Sequence, residues 1–123
     1  MNTKEYVDAV RTVVYIAAVQ GILTVLKQPP GRCPDPDMLK LSDWYNQLRP
    51  QDRDNVARIA DMAAKQATYN YLLTLDGLLA VEPEGEKGKL ELFYNDGKRS
   101  TRLNDDEGYQ LSYLFKKTES CEK

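Results

Sequence analysis

The stretch Tyr69–Glu82 reads YNYLLTLDGLLAVE, and it places Asp76 in the middle of an apolar run with Glu82 a few residues on. Two carboxylates so placed could form an acid–base pair, with a pKa raised by apolar neighbours. A simpler reading competes with it. An aspartate directly before a glycine at a helix end is ordinarily a turn residue, its carboxylate bonded to nearby backbone N–H groups. We adopt the second reading: Asp76 is structural, and Gly77 takes the positive φ that closes a helix. On that basis replacing Asp76 by Asn should cost about 1 kcal/mol or less.

Other chemistry is narrowed by an absence. The chain has no histidine. That removes the Ser-His-Asp triad, the Cys-His pair and most transition-metal sites together. Cys33 and Cys121 lie too far apart for a zinc motif, and both are expected as free thiols of a reducing cytosol. No glycine-rich phosphate loop of a familiar type occurs. Asp105-Asp106-Glu107 lacks the spaced ligands of a calcium loop and reads as the charge at a helix start. No catalytic residue, metal ligand or cofactor is therefore assigned.

Aromatic residues are the remaining candidates. Eight tyrosines and one tryptophan stand in 123 residues. Trp44 and Tyr45 follow a proline-rich loop, and Tyr69 and Tyr71 lie near a helix end. Such side chains bring contact area with few rotors, which suits binding interfaces. The four are the expected partner-binding residues. The competing reading leaves them half in the core with their hydroxyls at the surface.

Composition bounds the class. Apolar content of 41%, charged content of 29% and a net charge of −2 are those of one ordinary globular domain. Interspersed charges offer no long-range attraction to nucleic acid or anionic lipid. The apolar run Val13–Leu26 has 14 residues and is interrupted by Gln20, Gly21 and Thr24. It is short for a spanning helix, which wants about 20, and its flanks do not suit a signal peptide. A buried core helix in a cytoplasmic protein is the expectation, with no membrane and no nucleic acid as partner.

The elements that must position these residues divide the single domain, 1–123, into a helical half to about 76 and a strand-rich half from about 77. A first helix runs from Thr3, its cap, to Lys27. Tyr6, Val10, Val13 and Ala17 form one row and Val14, Ala18, Ile22 and Val25 another. Pro29-Pro30-Gly31 stops it, and residues 28–37 form a stiff proline-rich loop. Ser42 caps a short helix over SDWYNQL. A second long helix starts at Pro50 or Asp52 and ends before Gly77, its stripe formed by Val56, Ile59, Ala60, Ala63, Ala67, Leu72 and Leu73. Strands follow at 78–81, 89–94 and 100–103, the last two joined by the tight turn Asn95-Asp96-Gly97. Asn104 and Glu107 cap a final helix over 105–117, for which a fourth strand is the alternative. The expected fold is α+β: two long helices and one short helix packed with a small antiparallel three-stranded sheet and a C-terminal helix.

The C-terminal half, with LDGLLAVE, KLELFYNDGKRSTRLND and YQLSYLF, resembles a pattern found in small bacterial proteins loosely associated with antagonism and toxin-immunity loci. The resemblance covers a third to a half of the chain and assigns no functional residue. It implies a non-catalytic protein-binding module, of the immunity type that blocks one partner protein. The alternatives are a carboxylate-dependent enzyme acting on a small molecule and a structural homo-oligomer. In the last, the apolar first helix pairs with its copy to form a homodimer.

Overall fold

The computed structural model of the chain describes residues 1–86 and 88–120. Four helices and one hairpin follow in order: α1 (Thr3–Lys27), α2 (Pro36–Gln47), α3 (Pro50–Leu75), β1 (Phe93–Asn95), β2 (Ser100–Arg102) and α4 (Leu111–Ser120). α1 and α3 lie side by side and antiparallel. Val7 shares a core with Leu72, and the Tyr15 hydroxyl, eight residues on, donates to Asp61. α2 packs on the C-terminal half of α1, and α4 packs on the start of α1 and on α3. The core lies at one end of this pair, where Val7, Tyr15, Leu72, Leu75, Leu111 and Phe115 are buried together.

α1 starts as a capping box on Asn2, with Glu5 as the reciprocal partner. Thr3 is not the cap; its hydroxyl donates instead to the Leu103 carbonyl at 2.8 Å. Between Arg11 and Ile16 the helix widens into a π segment. The sequence supplies the reason. Val7, Arg11, Tyr15 and Val19 recur every four residues, and so do Tyr6, Val10, Val14 and Ala18. On a regular α-helix each such step drifts by about 40°. The wider turn absorbs that drift and keeps both rows straight. The first row is anchored inward: Arg11 donates to the Phe115 carbonyl at 2.5 Å and stacks its guanidinium 4.4 Å from the centre of that ring. The expected rows therefore change partners at the π segment, where Tyr6 and Val10 continue into Val14 and Ala18 rather than Val13 and Ala17.

α1 is not the central core helix expected. Of its most apolar 18-residue window only 11% is buried, and the helix is long and apolar enough to cross a membrane by length and composition. α2 begins earlier than expected, at Pro36. The proline-rich segment 28–37 reads as an extended loop, yet Pro36 in the first turn followed by Asp37 is a helix start. Ser42 lies inside this helix, buried, and accepts from Asn46, whose amide also donates to the Lys27 carbonyl at the end of α1.

α3 ends in a Schellman motif. Leu78 N–H donates to Leu73 O at 3.0 Å, Gly77 N–H to Thr74 O at 3.1 Å, and Gly77 has φ 78°. The Asp76 carboxylate at this corner reaches across the chain. One oxygen accepts from Leu111 N–H at 2.8 Å, and the other accepts from Ser112 N–H at 2.8 Å and from the Ser112 hydroxyl at 2.5 Å. Asp76 thus caps α4, which starts at Leu111 and not at Asp105. Asn104 does not cap it. Buried, Asn104 donates to Leu75 O and Leu90 O, both at 2.7 Å, and accepts from Leu92 N–H at 2.8 Å. It ties the end of α3 to the segment leading into β1.

The three-stranded sheet is overturned, for the sheet has two strands. Its turn is as expected: Asp96 accepts from Lys98 and Arg99 N–H groups at 2.9 Å, Gly97 has φ 90°, and these backbone donors hold the Asp96 carboxyl below its ordinary pKa. Leu78–Val81 forms no strand, and Leu78, Leu79 and Val81 are exposed. A four-residue apolar run carries no period that specifies an extended partner-seeking segment. The fold remains α+β in the broad sense, but helices dominate it.

The role of Asp76 as a cap 35 residues away revises the expected cost of changing it. Asp76→Ala should lower stability by about 2–3 kcal/mol, since two backbone donors and a hydroxyl lose a charged acceptor. Asp76→Asn, which keeps one acceptor oxygen, should fall between Asp76→Ala and wild type in urea denaturation. Equal stability of the three chains would contradict the assignment. Gly77→Val should cost at least about 1–2 kcal/mol through its positive φ, read in the same experiment.

Candidate binding face

The expected acid pair is divided between two structural tasks. Asp76 holds α4, and Glu82 accepts from Gly88 N–H at 2.8 Å. Among the described residues no group of three or more potential metal ligands converges. Asp106 pairs with Lys89, which lowers its pKa, and Asp105 accepts from Glu107 N–H within a turn. Cys33 is an exposed free thiol, and Cys121 lies outside the described residues.

The four aromatic candidates do not form one surface. Tyr45 is 4% exposed and belongs to the interior beneath α2, which removes it as a partner-binding residue. Its neighbour Trp44 is 52% exposed. Adjacent positions on a helix point about 100° apart, so a two-residue aromatic pair cannot serve one face. Tyr69 packs against the core, with Lys116 Nζ 4.6 Å from the ring centre. Tyr71, at 57% exposure, is the candidate that meets a larger feature.

That feature is an apolar groove of about 280 Å³ between α1 and α3. Tyr6, Val10, Val14 and Ala18 line one side, and Ala64, Ala67, Thr68 and Tyr71 the other. None carries a charge. The Thr68 hydroxyl is turned back onto the Ala64 carbonyl at 2.8 Å, so it leaves no unpaired donor in the groove. Burial raises the Tyr6 pKa, with a smaller contribution from neighbouring Tyr71. The tyrosines share one end of the groove, and Ala18 and Ala64 lie toward the other. Alanines on α3 let another helix approach closely, and the straight four-residue row on α1 exists only because of the π segment, a feature common at functional sites. Within the groove Val14 at 48% is exposed, and so are Ala18 and Ala67.

A second cleft, of about 590 Å³, lies between the start of α1 and α4. Tyr109 lines it and stacks on Tyr113 with ring centres 5.6 Å apart. Its lining carboxylate, Asp8, is already paired with Lys4 at 3.0 Å. The cleft therefore offers no pair of acids for proton transfer.

No family model, curated protein or solved structure matches the chain. In the sequence Tyr6, Val10, Val14, Ala18 and Ala67 read as core rows and Tyr71 as a partner-binding residue, while Ala64 and Thr68 stand out in neither reading, so the groove itself is not visible there. The signal was present as two parallel rows of spacing four in α1, one more apolar row than α3 and α4 together need.

The contrast between Trp44 and Tyr45 is open to direct measurement. Tyr45→Ala should cost about 3–5 kcal/mol, as for other large buried aromatics. Trp44→Ala should stay within about 0.5 kcal/mol of wild type. Thermal denaturation of the two variants side by side would expose a reversed order.

Proposed function

We propose that this chain is a non-catalytic protein-binding module whose working surface is the apolar face of α1 and α3. The observation that carries the reading is the uncharged groove that Tyr6, Val10, Val14 and Ala18 form with Ala64, Ala67, Thr68 and Tyr71, in which Val14 and Tyr71 are exposed. A contiguous apolar surface of this kind is rarely left bare by a soluble chain. The groove suits an apolar helix, which would enter between two helices whose small residues admit close approach. An immunity-type role is the form of this reading in which engagement blocks the partner's activity.

A membrane reading rests on the length and hydropathy of α1. The inward row of that helix weighs against it. Arg11 is bonded to Phe115, Tyr15 to Asp61 and Thr3 to Leu103, so insertion of α1 would break polar contacts to α3, α4 and the residue that follows β2. A guanidinium near the middle of a spanning segment is also costly.

The test is affinity capture from the source cells with wild type and with Val14→Glu, using Lys40→Glu on the far surface of α2 as control. Val14 is half exposed, so the charge should leave the fold intact. Loss of captured protein with Val14→Glu alone is the expected result. An identical capture profile for all three chains would refute the proposed face.

A further inference from the structure

We infer that the occupant of the α1–α3 groove is a second copy of this chain, seated antiparallel so that two helix pairs close into a four-helix bundle. This rests on the binding-face reading above and names its partner.

Three observations carry it. The first is charge. No groove residue is ionisable near neutral pH, so nothing on the face selects a partner of opposite sign. An uncharged face is compatible with itself, because no like charges meet across a two-fold axis.

The second is exposure. Within the groove Val14 is 48% and Tyr71 57% exposed, and Ala18 and Ala67 are exposed between them. The described residues of the chain itself do not cover this row, and soluble chains rarely leave such a row bare.

The third is shape. Along the groove the bulky residues, Tyr6 and Tyr71, share one end, while Ala18 and Ala64 lie toward the other. A two-fold axis in the plane of the face and perpendicular to the helices reverses the partner end for end. α1 then lies on the partner copy's α1 and α3 on its α3. Each tyrosine meets an alanine: Tyr6 lies over the second copy's Ala18, and Tyr71 over its Ala64. The exposed Val14 side chains of the two copies flank the axis above the buried Val10. An axis parallel to the helices would instead set tyrosines against tyrosines and leave a gap at the alanine end. The antiparallel four-helix arrangement is also a common way for helix pairs to bury a shared face.

The experiment uses the full chain. Wild type should sediment as a dimer, and Val14→Glu as a monomer with an unchanged far-ultraviolet spectrum. Ala67→Glu, at an exposed position of α3, serves as the second variant should Val14→Glu fail to fold, and should also be monomeric. Seating is read by oxidation of chains carrying Tyr6→Cys or Ala18→Cys, each with Cys33→Ser and Cys121→Ser. A mixture of the two should form a cross-linked dimer, and neither alone should, because a disulfide requires Cβ atoms about 3.5–4.5 Å apart. Self-cross-linking of Tyr6→Cys would overturn the antiparallel arrangement. A wild-type chain that is monomeric at its highest soluble concentration would overturn the second copy as occupant. The binding-face reading would then fall only if Val14→Glu also left protein capture unchanged. Flotation of wild type with neutral phosphatidylcholine vesicles, in place of dimerisation, would overturn both.

Discussion

The Asp76 carboxylate is the contact on which the core depends. A helix of ten residues such as α4 is marginal alone and leaves its first N–H groups unsatisfied. Asp76 supplies acceptors for two of them from the end of α3, while Gly77 and Leu78 satisfy the carbonyls of α3 at the same corner. One turn therefore completes the end of one helix and the start of another. This fixes where Leu111 and Phe115 enter the core beside Val7, Tyr15 and Leu72. Asn104 braces the corner from the opposite side by binding Leu75 O, and Arg11 binds Phe115 O, so α4 is held at both its beginning and its middle.

The legibility of the fold follows the range of each cause. Local causes were readable. Pro50 and Asp52 mark the start of α3, Gly77 its close, and Asn95-Asp96-Gly97 the hairpin, because each acts on backbone within a few residues. Long-range causes were not. That Asp76 is structural could be read from the Asp-Gly pair, but its partner lies 35 residues away and no local pattern indicates it. The same displacement moved the start of α4: Asn104 and Glu107 have a capping-box spacing, yet the Asn104 amide is committed to Leu75 O at the end of α3 and to Leu90 O before β1. Leu78–Val81 failed for the complementary reason. Its apolar composition suits a strand, but no neighbouring segment pairs with it.

The binding face was the least legible part: Ala64 and Thr68, which line it, carry no signal of their own in the sequence. Apolar helical rows are ordinarily core, and assigning all of α1 to the interior follows that rule. The error lies in supply and demand of surface. Tyr15, Val7 and Val19 already meet α3 and α4 along one row, and the rest of the described residues supply α2 and a two-stranded hairpin. The aromatic pair Trp44-Tyr45 divides for a related reason. Residue type indicates what an interface favours, but helical phase decides which way the side chain points, and Tyr45 and Trp44 differ in phase.

The π segment connects these observations. Its distortion is maintained by contacts on the buried side: Arg11 with Phe115 and Tyr15 with Asp61. Its consequence is on the open side, where Tyr6, Val10, Val14 and Ala18 are brought into one line. A regular helix through the same sequence would rotate Val14 and Ala18 away from Tyr6 and Val10 and break the groove into scattered exposed residues. The anchoring of α4 by Asp76 therefore bears on the exposed face. By placing Phe115 against Arg11 it supports the wider turn, and the wider turn sets the row that a partner would meet. Core and face are two sides of one helix, and the four-residue spacing of α1 serves both.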